Sequence, residues 1–133
     1  MNDFIEVYVD GASLGNPGPS GIAIIIKKDG KVLERYSSFA GVRTNNQAEY
    51  IAVLKALDMA KRYGNRVKIY SDSELVVRQL NGKYAVKNKN LRELYRKVKN
   101  LEREFSEVKY IHVPRNQNMD ADMMAKNSAR YGK

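Results

Sequence analysis

Apolar residues in this chain change their spacing partway along, and the change sets the class of fold. From Phe4 to Asp10, Ile5, Val7 and Val9 alternate with Glu6, Tyr8 and Asp10, the two-residue period of a strand. Gly11 to Gly21 is dense in Gly, Pro, Ser and Asn and reads as a loop, which puts Asp10 at the strand's carboxyl end. Two β-rich runs follow, Ile22 to Lys28 and Lys31 to Phe39, joined by the hairpin signal Asp29-Gly30. From Thr44 to Tyr63 the period is helical, with Thr44, Asn45 and Asn46 as candidate N-caps and Gly64-Asn65 as the stop. Val67 to Asp72 returns to strand and again ends in an aspartate, before a short helix, Ser73 to Leu80, closed by Asn81-Gly82. A longer helix over about Asn88 to Phe105 buries Leu91, Leu94, Tyr95, Val98, Leu101 and Phe105 and turns a basic face outward. Glu107 to Val113 is a last strand, Pro114 to Asn118 a tight loop, and Met119 to Tyr131 a helix with Ala121, Ala125 and Ala129 in register. The order β-β-β-α-β-α-α-β-α predicts an α/β fold: one domain over residues 1–133, with a mixed five-stranded sheet, three strands antiparallel and then parallel ones, flanked by helices.

Composition narrows the partners. Lys and Arg number 24 against 15 Asp and Glu, a net charge of +9 over 133 residues, so a polyanion is expected, nucleic acid before an anionic membrane. With no Cys, disulfides, thiolate metal sites and a cysteine nucleophile are excluded. The opening Met1-Asn2-Asp3-Phe4-Ile5-Glu6 has neither a basic leader nor an apolar core, and the longest purely apolar run is Ile22 to Ile26. No signal peptide or membrane span is expected, and the reading is a cytoplasmic protein.

The acids fall where chemistry is expected. In α/β sheets ligands sit beyond the carboxyl ends of parallel strands, where Asp10 and Asp72 both fall if their strands are neighbours. Glu49 lies on the inner side of its helix with Ala52, Ala56 and Ala60, opposite Asp58, and is expected in the first turn, where it competes for a capping-box role. Asp120 and Asp122 open the last helix, so up to four carboxylates converge. Such a group cannot stay ionised without a cation, because like charges raise one another's pKa. Oxygen ligands alone favour Mg²⁺ or Mn²⁺ over Zn²⁺. Two ions about 4 Å apart would polarise a phosphodiester, generate a hydroxide and stabilise the leaving oxygen.

Four ordered blocks carry a family resemblance: Asp10-Gly11-Ala12-Ser13 with Gly15-Asn16-Pro17-Gly18, Thr44-Asn45-Asn46-Gln47-Ala48-Glu49, Ser71-Asp72-Ser73, and Asn118-Met119-Asp120-Ala121-Asp122-Met123-Met124-Ala125. Together they resemble the signature of type 1 ribonuclease H over nearly the whole chain. The resemblance implies a ribonuclease H-like fold and endonucleolytic cleavage of the RNA strand in an RNA–DNA hybrid, leaving 5′-phosphate and 3′-hydroxyl ends. It implies that Asp10 bridges two metal ions, Glu49 and Asp72 complete the shell of one, and Asp122 holds the other; the Asn-x-x-Ala-Asp-x-x-Ala spacing favours Asp122 over Asp120. Gly11, Ser13, Asn16, Asn45, Asn46 and Gln47 match positions lining the hybrid's minor groove, where 2′-hydroxyls mark RNA. Thr44, with Arg43, resembles the pocket for a DNA-strand phosphate.

Two departures shape the expectation of a compact, archaeal-type member without a basic protrusion. No flexible histidine loop precedes the fourth acid; Arg115 takes the analogous place, and His112 reads as a strand residue. No inserted basic helix lies between Gly82 and Asn100, so Lys87, Lys89 and their neighbours are expected to meet the duplex backbone directly, against the alternative of a solvated helix face. The glycines around Asn16 either touch substrate or only shape the loop, and Tyr84 either stacks on nucleic acid or packs beneath it. The partner expected is the hybrid, with double-stranded RNA as a second candidate, and the protein is expected to be a monomer. Two competing functions are a non-cleaving nucleic-acid-binding module and a related nuclease of the same fold acting on double-stranded RNA or junctions.

Overall fold

A computed structural model describes residues 3–132; Met1 and Asn2 of the opening segment, and Lys133, lie outside the described residues. In chain order the elements are β1 (Ile5–Ser13), β2 (Gly18–Lys28), β3 (Lys31–Arg43), α1 (Asn45–Ala60), β4 (Arg66–Ser71), α2 (Glu74–Leu80), α3 (Lys89–Glu102), β5 (Glu107–His112), a 3-10 turn (Arg115–Gln117) and α4 (Met119–Tyr131). The strands form one sheet in the order β3-β2-β1-β4-β5. The first three pair antiparallel, and β4 runs parallel to both β1 and β5, as the element order predicts.

Alternation along the strands gives the sheet two apolar faces. Ile5, Val7, Val9, Ile24, Ile26, Val67 and Ile69 pack with Tyr50, Val53 and Leu57 of α1, Val76 and Leu80 of α2, and Leu91 and Val98 of α3. The other face, with Ala12, Ala23 and Ile25, is covered by Ala121 and Ala125 of α4. Small residues let that helix lie almost on the backbone: a Cβ at Gly21 would stand 2.2 Å from the Ala125 carbonyl oxygen. Among the described residues no helix is long and apolar enough to cross a membrane.

Three expectations change. First, β1 does not stop at Asp10 but continues through Gly11, Ala12 and Ser13, pairing with β2 as far as Ser13↔Ser20 and leaving only residues 14–17 as the loop. Gly and Ser are weak strand formers, and here antiparallel pairing and close helix packing hold them extended. The parallel partner does end early: the last β1–β4 pair is Tyr8↔Tyr70, so Asp10 and Asp72 each stand two residues beyond it. Second, β3 reaches Arg43 rather than Phe39, and α3 ends at Glu102, with Phe105 still buried in the turn that follows. Third, Lys99 is not on the outer basic face: its ammonium donates to the Leu80 carbonyl at 2.7 Å and to Glu102 at 3.1 Å.

Candidate active site

Strand β1 carries Asp10, α1 carries Glu49 and the turn after β4 carries Asp72. Ligand-capable oxygens of the three lie within 4.8 Å of one another. Glu49 sits in the second turn of α1, not the first, and leaves the capping box to Thr44 and Gln47, whose side chains each accept from the other's backbone N–H. Asp10 and Glu49 are buried, and Asp72 is half-buried. Asp122, one turn into α4, lines the same cavity of about 110 Å³ with Ser13, Asn45, Arg115 and Lys126, but stands outside the 4.8 Å group. Asp120 is exposed and lines a different cavity, with Tyr8, Lys27 and Gln117.

The fields on these acids have separate causes. Burial raises the Asp10 carboxyl to about 8, and the Asp72 and Asp122 charges add to the effect. Glu49 is pushed well up by burial and then by Asp10 and Asp72, while its bond from the Gly11 N–H works the other way. Asp72 is raised by burial, against the Asn118 amide and the Arg115 guanidinium; Asp122 adds to the rise and His112 opposes it. Arg115 therefore faces the acids from the loop before α4. His112 is exposed at the end of β5, yet its charge bears on Asp72.

The other expected residues divide by what their polar groups already do. Gly11 is buried, its N–H donates to Glu49 Oε1 at 2.6 Å, and a Cβ there would meet the Ala48 carbonyl carbon at 2.3 Å. It acts as the spacer that lets α1 approach β1. The Ser13 N–H donates to Asn45 Oδ1 at 3.1 Å, and the Asn45 N–H to Asn16 Oδ1 at 2.8 Å. Ser13 Oγ donates to the Arg43 carbonyl at 2.9 Å. These bonds fix the end of β1, the loop and the start of α1 as one polar edge, with the Asn16 and Asn45 amide NH₂ groups still able to donate. Asn46 and Gln47 are half-buried on the same turn. Lys87 and Lys89 are exposed at the start of α3, away from the acid cavity; beside them the Arg92 guanidinium donates to the Val86 and Lys87 carbonyls.

Three contributors escaped the sequence reading. Asn118 is buried and donates its amide to the Val9 carbonyl at 2.8 Å, tying the start of α4 to β1 one residue before Asp10. Its signal is its place at the head of the fourth block, which gives the side chain no task; as an Asn at a helix start it reads as a cap, and here it makes no side-chain cap bond. Lys126 ion-pairs with Asp122 at 3.0 Å, an i,i+4 pair whose relevance depends on where Asp122 points. Asn90 lines a second polar cavity of about 200 Å³ with Arg43, Gln47, Glu93 and Lys97, formed only when α3 packs beside the start of α1.

These residues fit a divalent cation. The donors are carboxylate oxygens, the set preferred by hard ions, and Asp72 Oδ2 is buried with no hydrogen-bond partner among the described residues. Among those residues none of Asp10, Glu49 and Asp72 makes an ion pair, so their charge is compensated by no side chain at contact distance.

Residues 8–128 match a family model described as reverse transcriptase-like. A ribonuclease HI of Halobacterium salinarum is 36% identical over 123 residues, covering 91% of this chain and 62% of that protein, so the chain spans less than two-thirds of that relative. A ribonuclease HI of Helicobacter pylori is 39% identical over 113 residues, covering 81% of this chain and 73% of its own. Among solved structures, LC11-RNase H1 in complex with an RNA/DNA hybrid superposes with a TM-score of 0.90 at 35% identity, over 95% of this chain and 96% of that one. By these matches over most of its length, the chain belongs to the ribonuclease HI family.

Proposed function

We propose that this chain is an endoribonuclease that hydrolyses the RNA strand of RNA–DNA hybrids with divalent metal ions. The observation that carries the reading is the meeting of Asp10, Glu49 and Asp72 within 4.8 Å, beside a polar edge of Ser13, Asn16, Thr44 and Asn45. Carboxylates held this close, two of them buried, are costly unless a cation offsets them, and a protein that only bound nucleic acid would have no use for that cost. The relative solved with an RNA/DNA hybrid points to the substrate class. In this reading Asp10, Glu49 and Asp72 hold one ion and Asp10 with Asp122 a second, Mg²⁺ or Mn²⁺. Bound there, the ions supply Lewis-acid polarisation of the phosphodiester and activate the attacking water.

The chain's own groups do the rest. The Asn16 and Asn45 amides and Ser13 meet the minor groove, where 2′-hydroxyls distinguish RNA from DNA. Arg43, Gln47, Asn90 and Lys97 line the second polar cavity and, with Thr44 next to Arg43 in the chain, take a phosphate of the DNA strand, fixing the duplex so that the RNA strand crosses the acids. Arg115, on the loop over Asp72, meets the developing charge on the scissile phosphate. Lys87 and Lys89 add sequence-independent contacts to the backbone.

The test is a labelled hybrid incubated with Mg²⁺ and the parent, Asp10→Asn or Asp72→Asn protein, beside double-stranded RNA and duplex DNA. The parent alone cuts the RNA strand of the hybrid, leaving 5′-phosphate ends, and the variants still bind. Equal cutting by all three proteins would overturn the reading. Preferential cutting of double-stranded RNA would favour the related-nuclease alternative.

A further inference from the structure

Lys126 places a fixed positive charge inside the acid cavity, and the metal reading above gives it no task. We propose that Lys126 is a positioning residue that competes with a divalent ion for Asp122, so that the site fills in two unequal steps. The inference rests on the metal-site reading.

Ion pairing separates the four acids into two groups, although the Asp122 carboxyl also reaches that of Asp10 by a hydrogen bond. Asp10, Glu49 and Asp72 converge within 4.8 Å and make no ion pair among the described residues. Asp122 stands outside that group and is already paired, its Oδ2 lying 3.0 Å from Lys126 Nζ one helical turn on. Both residues line the same cavity. The pair is held in place because α4 is anchored by Ala121, Ala125 and Ala129, all buried, and Asp122 and Lys126, each one residue beyond a buried alanine, flank that stripe on the side that lines the cavity. The Asp122 side chain is 21% exposed and that of Lys126 is 48% exposed. Water therefore screens the ammonium more than the carboxylate.

An ion entering among Asp10, Glu49 and Asp72 meets carboxylates with no side-chain cation at ion-pair distance among the described residues, Arg115 acting on Asp72 only from farther off. An ion shared between Asp10 and Asp122 meets a carboxylate whose charge is balanced and an ammonium that repels it. The ammonium either leaves Asp122 or stays beside a doubly charged neighbour, and both cost free energy. At low divalent concentration the first position fills while the Asp122–Lys126 pair stays intact. Filling the second position requires that the pair open.

The test uses Mn²⁺ alone, with free ion counted by electron paramagnetic resonance in titrations of the parent, Lys126→Met and Lys126→Arg proteins. Lys126 is exposed, so neither change touches the core. The parent binds one ion more tightly than the other. From the strength of exposed i,i+4 pairs, doubled for a divalent competitor at a half-buried carboxylate, Lys126→Met tightens the weaker ion by about three- to tenfold and the stronger by less than about twofold. Lys126→Arg keeps the parent's pattern. An unchanged weaker ion in Lys126→Met, equal tightening of both ions, or the same shift in Lys126→Arg would each overturn the proposal. If the parent bound no Mn²⁺, or bound it no better than Asp10→Asn, the metal reading itself would fall and this proposal with it.

Discussion

Gly11 donates its backbone N–H to Glu49 Oε1 at 2.6 Å, and the same glycine leaves α1 room to come that close. One residue thus sets both the distance between strand and helix and the direction of a buried carboxylate. Gly11→Ala would put a methyl group 2.3 Å from the Ala48 carbonyl carbon, against backbone that cannot swing aside. We expect a loss of about 3 kcal/mol, read as a lower urea midpoint, because overpacking here displaces a helix and not a side chain. Hydrolysis should fall further than stability does, since Glu49 moves with α1.

Asp10 contributes to the pH dependence together with Glu49 and Asp72, whose carboxyls are raised too. Its carboxyl lies at about 8 in the fold against 3.8 for the free group, so the folded protein binds a proton that the unfolded chain has released. The stability this contributes is complete below about pH 4 and is lost as the pH rises toward 8. Without divalent metal, the melting temperature should fall across that window, and Asp10→Asn, neutral throughout, should fall less steeply, because only the raised Glu49 and Asp72 carboxyls still titrate. At pH 8 we expect the variant to be more stable than the parent by roughly 2 kcal/mol or more, about 4–8 °C, and to be inactive. Calorimetry with and without Mg²⁺ checks both, since added metal should raise the parent's melting temperature and leave the variant's nearly unchanged.

Asn118 should matter through two groups at once. Its replacement by Ala leaves the buried Val9 carbonyl without its donor and removes the amide that opposes the raised Asp72 carboxyl. A cost of about 1–3 kcal/mol follows from the orphaned acceptor. The acid limb of the pH–rate profile should also move to higher pH as Asp72 becomes harder to ionise. A variant that loses stability with no shift in that limb would restrict Asn118 to the scaffold.

Lys87 and Lys89 are exposed and contribute no hydrogen bond of their side chains to the fold among the described residues, unlike Arg92, which holds two loop carbonyls. Neutralising the two lysines as Gln should leave the melting temperature unchanged and weaken hybrid binding. The slope of log affinity against log salt should become shallower by about 1–2, as expected for up to two lost phosphate contacts. An unchanged slope would return this end of α3 to the solvent.

The alternation of Ile5, Val7 and Val9, the Asp29-Gly30 hairpin and the strand–helix–strand order were enough to read the element order and the mixed sheet, because each rests on local periodicity. The extent of β1 was not legible: Gly11 to Ser13 look like loop until β2 is seen paired with them, and pairing is not local. The same limit divides the site. Asp10, Glu49 and Asp72 announce themselves as acids beside strand ends or on an inward helix face, and the structure brings them together. Asn118, Asn90 and the Lys126–Asp122 pair acquire meaning only from what packs opposite, and Lys99 leaves the basic face of α3 because the Leu80 carbonyl and Glu102 offer it acceptors.

Beyond Tyr8, β1 loses its parallel neighbour while β2 still pairs on its other side, so the strand acquires an open margin at the level of Asp10. Val9 and Gly11 share a parity, and the carbonyl of the first and the N–H of the second are taken by Asn118 and Glu49. Two side chains thus stand in for the missing strand and close what would otherwise invite another chain to add itself there. The cleft for chemistry and the protection against aggregation are the same construction, so changes at Asn118 or Glu49 made to probe catalysis will also test how well the sheet guards its own border.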